Sequence, residues 1–279
     1  MVKVFQGTKH EYYMDGYLQR AFDIAKKEIK NDWDFLFVYD GMEGSGKSVK
    51  AMQDAFYCDP DLSIKQYAFN HEQFKAAVLG ANKFQAIVYD EAHSGLNSRA
   101  AMSSVNRSLV SMLTEIRQKN LFVFIILPTF FDLDKYVAIW RSRALIHVYT
   151  SKSFERGYFS FYNIDKKKML YVKGKKFYQY GVIKPNFIGR FTNHYPLDKE
   201  EYKKLKYEAF QSRDKDVTAE AEAKALKELL WKYITDIDSL SHRQKYEILK
   251  MPESTYFGKL RKLKEIKGFS KEIAFTMPL

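Results

Sequence analysis

Phe35-Leu36-Phe37-Val38-Tyr39-Asp40-Gly41-Met42-Glu43-Gly44-Ser45-Gly46-Lys47-Ser48 is the stretch that decides the fold. Phe35 to Tyr39 is a continuously apolar run between polar flanks, which suits a strand buried on both faces. Gly41 to Ser48 spells G-x-x-x-x-G-K-S, and a helical stretch follows to about Tyr57, closed by Cys58-Asp59-Pro60. Glycines let a backbone wrap a phosphate without a Cβ in the way, and the N–H groups that open the helix then face the anion. The candidate nucleotide-binding residues are therefore Gly41, Met42, Glu43, Gly44, Ser45, Gly46, Lys47, Ser48 and Val49. In such a loop Lys47 bridges the β- and γ-phosphates of ATP, and Ser48 offers its hydroxyl to Mg2+.

The neighbouring sequence fits a sheet around that strand. Asp15 to Lys30 has Leu18, Phe22, Ala25 and Ile29 at helical spacing. Ile64 to Phe69 reads as a second strand, and Asn70 as the N-cap of a helix from His71 to about Leu79. Phe84 to Tyr89 is a third apolar run, ending in Asp90-Glu91. Ser103 to Lys119 is an amphipathic helix, and Leu121 to Leu127 and Ala144 to Tyr149 are further strands. Strands alternating with helices predict a mainly parallel sheet covered by helices, with ligands at the strands' C-terminal ends. Asp90 would then hold Mg2+ through its water shell, and Glu91 would polarise the attacking water. Asp90-Glu91-Ala92-His93 also spells a helicase box, but residues 151–279 show no second strand–helix series.

Arginine offers a choice of catalytic cations. Arg117 ends the helix before the Leu121 strand, where a guanidinium could reach a neighbouring subunit's nucleotide or simply favour the helix C-terminus. Arg141 and Arg143 are the other candidates. Thr129, after that strand, is a candidate γ-phosphate sensor or a packing residue.

Composition narrows the class. With 46% apolar and 29% charged residues the chain can build a core, and a single cysteine, Cys58, excludes a disulfide framework. The most apolar stretch, Leu121 to Phe131, is interrupted by Pro128 and falls short of the roughly 20 residues that span a bilayer. No signal peptide is visible, so a cytoplasmic protein without membrane insertion is expected, in the host cytoplasm if it is viral. The net charge of +12 is uneven: residues 1–150 hold 18 cations against 17 acids, whereas residues 151–215 hold 16 against 7. A near-neutral first half joined to a basic second half points to a polyanion partner, or to a lysine-rich solvated surface.

Four segments follow: an α/β nucleotide-binding core at 1–150, a basic β-rich extension at 151–198, connecting helices at 199–235, and a helix-turn-helix-like module at 236–279. In the extension, Tyr158 to Tyr162 and Met169 to Val172 alternate like strands, with turns at Asn163–Lys166 and Val172–Gly174. The aromatics there fit the faces of a small sheet better than base-stacking platforms. Lys199 to Phe210 and Thr218 to Ile234 read as separate helices. In the last module Ser241–Leu249 and Glu253–Glu265 are paired helices. The second carries Ser254, Thr255, Tyr256, Lys259, Arg261 and Lys262, candidate contacts to DNA base edges and phosphates.

With those residues in hand, positions 1–150 resemble P-loop ATPases of the additional-strand, catalytic-glutamate class. The run from Met112 to Val148, with its Ile-Arg helix end, Asp132-Leu133-Asp134 and Arg-x-Arg, is similar to the FtsK–HerA family. The nearest likeness is to viral and plasmid ATPases of zonula-occludens-toxin-like and DNA-packaging type. The family often has Gln after the sensor strand, where Pro128-Thr129 stands here. The resemblance implies a homo-oligomeric ring that threads double-stranded DNA and hydrolyses ATP with Mg2+ between subunits. It implies an ATPase that translocates or packages DNA, encoded by a virus or plasmid. A nucleotide-switched DNA-binding protein, such as a partition, initiator or regulatory factor, is the alternative.

Overall fold

The computed structural model describes residues 2–90, 98–235, 237 and 239–261. The chain divides into two compact units, Met1–Arg213 and Asp214–Leu279. The first is mixed α/β. After a short antiparallel pair, β1 (Val2–Val4) and β2 (Tyr12–Met14), come the parallel strands β3 (Phe35–Asp40), β4 (Tyr67–Ala68), β5 (Ala86–Asp90), β6 (Phe122–Ile126) and β7 (Ser142–Tyr149). Two antiparallel strands, β8 (Tyr158–Tyr162) and β9 (Phe187–Arg190), complete a seven-stranded sheet of order β4-β5-β6-β3-β7-β8-β9. The strand β6 therefore lies between β3 and β5, and Tyr39 and Asp90 both align with Ile126. That register brings the end of β3 and the acid of β5 level on one edge of the sheet.

Alternation along β3 builds both cores. Phe37 and Tyr39 join α1 (Gly16–Glu28) and α2 (Lys47–Cys58) on one face, through Leu18, Phe22, Ala51 and Met52. Leu36 and Val38 face α3 (His71–Gly80), α4 (Ser98–Gln118) and α5 (Ile164–Gly174), through Phe74, Ile116 and Leu170. The expected cap forms at Asn70, which accepts from the N–H of Gln73, and Asp15 caps the first helix by accepting from the N–H of Tyr17 and Leu18.

Three expectations change. The second strand shrinks to Tyr67–Ala68, because Ile64–Gln66 is a 3-10 turn closed by a capping box between Ser63 and Gln66. Residues 164–174 are the helix α5, not strand and turns. Asn163 caps it, and Lys167, Leu170, Tyr171 and Gly174 are buried at helical spacing. The helices expected at 199–210 and 218–234 are one element, α6 (Lys199–Thr235). The aromatics of β8 do serve the sheet: Phe159, Phe161 and Tyr162 are buried.

In the second unit, α7 (His242–Ile248) starts on a capping box between Ser241 and Gln244, and residues 253–261 are helical. Tyr256, fully buried, packs on His242, Tyr246 and Phe257. Among the described residues no helix is long and apolar enough to cross a membrane.

Candidate nucleotide site

The loop after β3 opens onto a cavity of about 860 Å3, lined by Gly44, Gly46, Lys47, Ser48, Asp90 and Lys206 among others. Gly41 leaves the strand with φ of 136°, and a Cβ there would stand 1.9 Å from the Val148 carbonyl oxygen on β7. The strand-to-loop exit is thus closed to any side chain. Gly44, with φ of 74°, would direct a Cβ toward open space, 3.8 Å from the Arg156 guanidinium. The N–H groups of Gly44, Gly46, Lys47 and Ser48 find no acceptor among the described residues. Ser45 is buried, and its hydroxyl has no hydrogen-bond partner among the described residues. Free N–H groups at the start of a twelve-residue helix make an anion site.

Lys47 lies folded over this loop. Its ammonium donates to the carbonyls of Gly41, at 2.6 Å, and Met42, at 2.8 Å. Burial pulls its pKa below the ordinary lysine value, opposed by the charges of Asp40, Asp90 and Glu43. The loop's stem is fixed from below by Asp40, whose carboxylate accepts from Phe130 N–H at 2.9 Å and from the Tyr180 hydroxyl, and meets His147 Nδ1 at 2.9 Å.

Asp90, 2% exposed, lines the same cavity as the Ser48 hydroxyl. Its Oδ2 accepts from Tyr67 and Tyr202 hydroxyls, each at 3.1 Å, and from the Lys206 ammonium at 3.2 Å. Lys206 also lies 3.3 Å from the Ser48 hydroxyl. A hydroxyl and a carboxylate sharing one cation fit a Mg2+ that takes its remaining ligands from phosphates and water. Among the described residues no three His, Cys, Asp or Glu side chains converge on one point, so a protein-only metal cage is not offered.

Comparison of the chain with protein-family models, curated proteins and solved structures finds no match.

The structure gathers Gly41–Ser48 and Asp90 but leaves other expected residues elsewhere. Glu91 and Lys262 lie outside the described residues. Arg117 makes a two-pronged ion pair with Asp32, at 3.1 and 2.9 Å, and approaches Asp34. Arg141 pairs with Asp34 at 2.6 Å, and Arg143 stacks over Trp33, 4.8 Å from the ring centre. All three therefore sit at the end of the sheet where β3 begins, opposite the loop that follows it. Thr129 turns from the cavity: it caps Phe131 and meets the Tyr180 hydroxyl at 3.1 Å.

In the second unit, Tyr256 cannot touch DNA, because its ring is the core of the helix pair and its hydroxyl bonds His242 Nδ1 at 3.0 Å. Lys259 pairs with Glu228 at 3.2 Å. Ser254, Thr255 and Arg261 are exposed.

Sequence reasoning passed over Asp40, Arg156, Tyr202 and Lys206. Asp40 carried a signal, as the acid between a buried strand and a glycine. Lys206, 158 residues from Ser48, carried none.

Proposed function

We propose that this chain is a P-loop ATPase that drives DNA translocation or packaging, working as a ring of identical subunits. The observation that carries the nucleotide reading is the loop of free N–H groups and Lys47 on a cavity that also holds Asp90, one strand removed across β6. In this reading the N–H groups of Gly44, Gly46, Lys47 and Ser48 bind the β-phosphate, and Lys47 leaves the carbonyls of Gly41 and Met42 for the β- and γ-phosphates. Ser48 and Asp90 hold Mg2+, which when bound neutralises charge on the phosphate oxygens. Glu91 follows Asp90 in sequence and is assigned the attacking water. Water adds to the γ-phosphorus, the bond to the β-phosphate oxygen breaks, and ADP and phosphate leave.

The DNA reading rests on the charge of +12 and on exposed Ser254, Thr255 and Arg261 in the basic tail. Arg117 is assigned to a neighbouring subunit's nucleotide, since its own chain's loop lies at the other end of the sheet. The test is ATP turnover by the full chain and Lys47→Ala, with and without double-stranded DNA, beside a mass measurement. DNA-stimulated turnover by an oligomer, lost in Lys47→Ala, is expected. Slow turnover indifferent to DNA, with tight sequence-specific binding, would replace the motor by a nucleotide-switched DNA-binding protein. Turnover that survives Lys47→Ala would remove the loop from the chemistry.

A further inference from the structure

A positive charge already stands between the Ser48 hydroxyl and the Asp90 carboxylate. The Lys206 ammonium lies 3.3 Å from the first, 3.2 Å from the second and 3.1 Å from the Tyr202 hydroxyl. Its side chain is 35% exposed, so it is reachable from the cavity it lines. Tyr202 anchors that turn of α6: it is 5% exposed, packs on Tyr67, Phe69 and Tyr195, and itself donates to Asp90. The contact is therefore built from a buried aromatic cluster, not a stray surface lysine.

We propose that Lys206 sets the metal requirement of the nucleotide site: its ammonium holds the place of the divalent ion, and Mg2+ enters only by displacing it. This rests on the assignment of Ser48 and Asp90 to Mg2+ above. Mg2+ held by the Ser48 hydroxyl and, through its water shell, by Asp90 would need the space between those two groups that the ammonium now fills. Two cations that close repel strongly in a partly buried site. The ion must thus outcompete an amine tethered to its own ligands. The competitor differs from salt in solution because α6 delivers it at fixed concentration, so the threshold is a property of the chain.

The full chain, Lys206→Gln and Tyr202→Phe are titrated with Mg2+ at a fixed concentration of a fluorescent ATP analogue. Losing a charged hydrogen-bonding competitor should lower the half-saturating Mg2+ in Lys206→Gln by about tenfold. Tyr202→Phe keeps the buried ring and removes one hydroxyl that orients the amine, so a fall of about threefold is expected, whether or not Lys206→Gln folds. Mn2+ binding without nucleotide, read from the resonance of the free ion, should strengthen in the same order. An unchanged or higher Mg2+ midpoint in the folded variants overturns the inference while leaving the nucleotide reading intact. No nucleotide binding by any of the three chains at any Mg2+ concentration overturns that reading, and the inference with it.

Discussion

Two glycines in one loop separate a phosphate cradle from a mere turn. In Gly41→Ala the new methyl must occupy space 1.9 Å from the Val148 carbonyl oxygen, at a φ of 136° that L-residues avoid. Overpacking costs about 1–3 kcal/mol and the backbone strain about as much again, so about 2–6 kcal/mol is expected. In Gly44→Ala the methyl meets only the Arg156 guanidinium at 3.8 Å, leaving the strain of φ at 74°, about 1–2 kcal/mol. For a unit of this size each kcal/mol lowers the midpoint by about 2–4 °C, so Gly44→Ala should melt only about 2–8 °C below the parent. Its affinity for ATP should fall far more than its stability suggests. If the N–H groups left without an acceptor among the described residues bind phosphate, as proposed, losing one charge-assisted bond of about 1.5–3 kcal/mol weakens binding roughly 10- to 150-fold. Thermal unfolding and titration with a fluorescent ATP analogue read both quantities. A folded Gly44→Ala that binds ATP within twofold of the parent would refute the cradle, and a Gly41→Ala as stable as Gly44→Ala would refute the strand-exit geometry.

Lys47→Ala should abolish turnover and weaken nucleotide binding while leaving the midpoint nearly unchanged, since its two acceptors are loop carbonyls that water can serve; retained affinity in a binding titration would count against it. Glu91→Gln should bind ATP but not hydrolyse it, and undiminished turnover would withdraw the catalytic assignment. Lys167 is fully buried against the carbonyls of Ala138 and Ile139, and burial first, with Lys168 and Arg143, moves its pKa down to about 7. The unfolded chain then holds that proton more tightly, so stability should rise with pH between about 7 and 10, by at most about 1.4 kcal/mol per unit; Lys167→Met should flatten this slope in denaturant titrations, and an identical slope would reject the assignment. Arg261→Ala should flatten the dependence of log DNA affinity on log salt by about 0.9, and an unchanged slope would show that Arg261 touches no phosphate.

The parts of the fold that local chemistry dictates were legible. β3, the glycine loop and α2 follow from an apolar run meeting G-x-x-x-x-G-K-S, and the cap at Asn70 follows from its side-chain acceptor. Errors came where two periods fit the same letters. Met169-Leu170-Tyr171-Val172 alternates acceptably as a strand, yet Asn163 and the buried positions Lys167, Leu170 and Tyr171 close a helix on the sheet's second face. Tyr256 looked like a reader of bases because it sits among polar and cationic neighbours, but one face of any amphipathic helix must be core. The site was half legible for the same reason. The loop and Asp90 each carry their context in sequence, whereas Lys206 and Tyr202 reach Asp90 only after the chain has folded back across more than 110 positions.

The same distinction bears on the arginines. Arg117, Arg141 and Arg143 looked like a reserve of catalytic cations because they flank the last two parallel strands. Parallel strands put their first residues on one edge and their last on the other. Arg141 and Arg143 enter β7 beside Leu36, and Arg117 precedes β6, so all three meet Asp32, Trp33 and Asp34 at the edge where β3 starts. Asp32, held at about 2 by the hydrogen bonds from Arg117 and Asn120, stays ionised over the whole physiological range. Topology therefore keeps these side chains from the glycine loop of their own chain, whatever their chemistry. A role in hydrolysis requires a second subunit whose loop faces this edge, and it requires that subunit's triphosphate to compete with Asp32 for Arg117. Arg156, exposed beside Gly44 at the loop's end of the sheet, is subject to neither condition and needs no partner chain to reach the cavity.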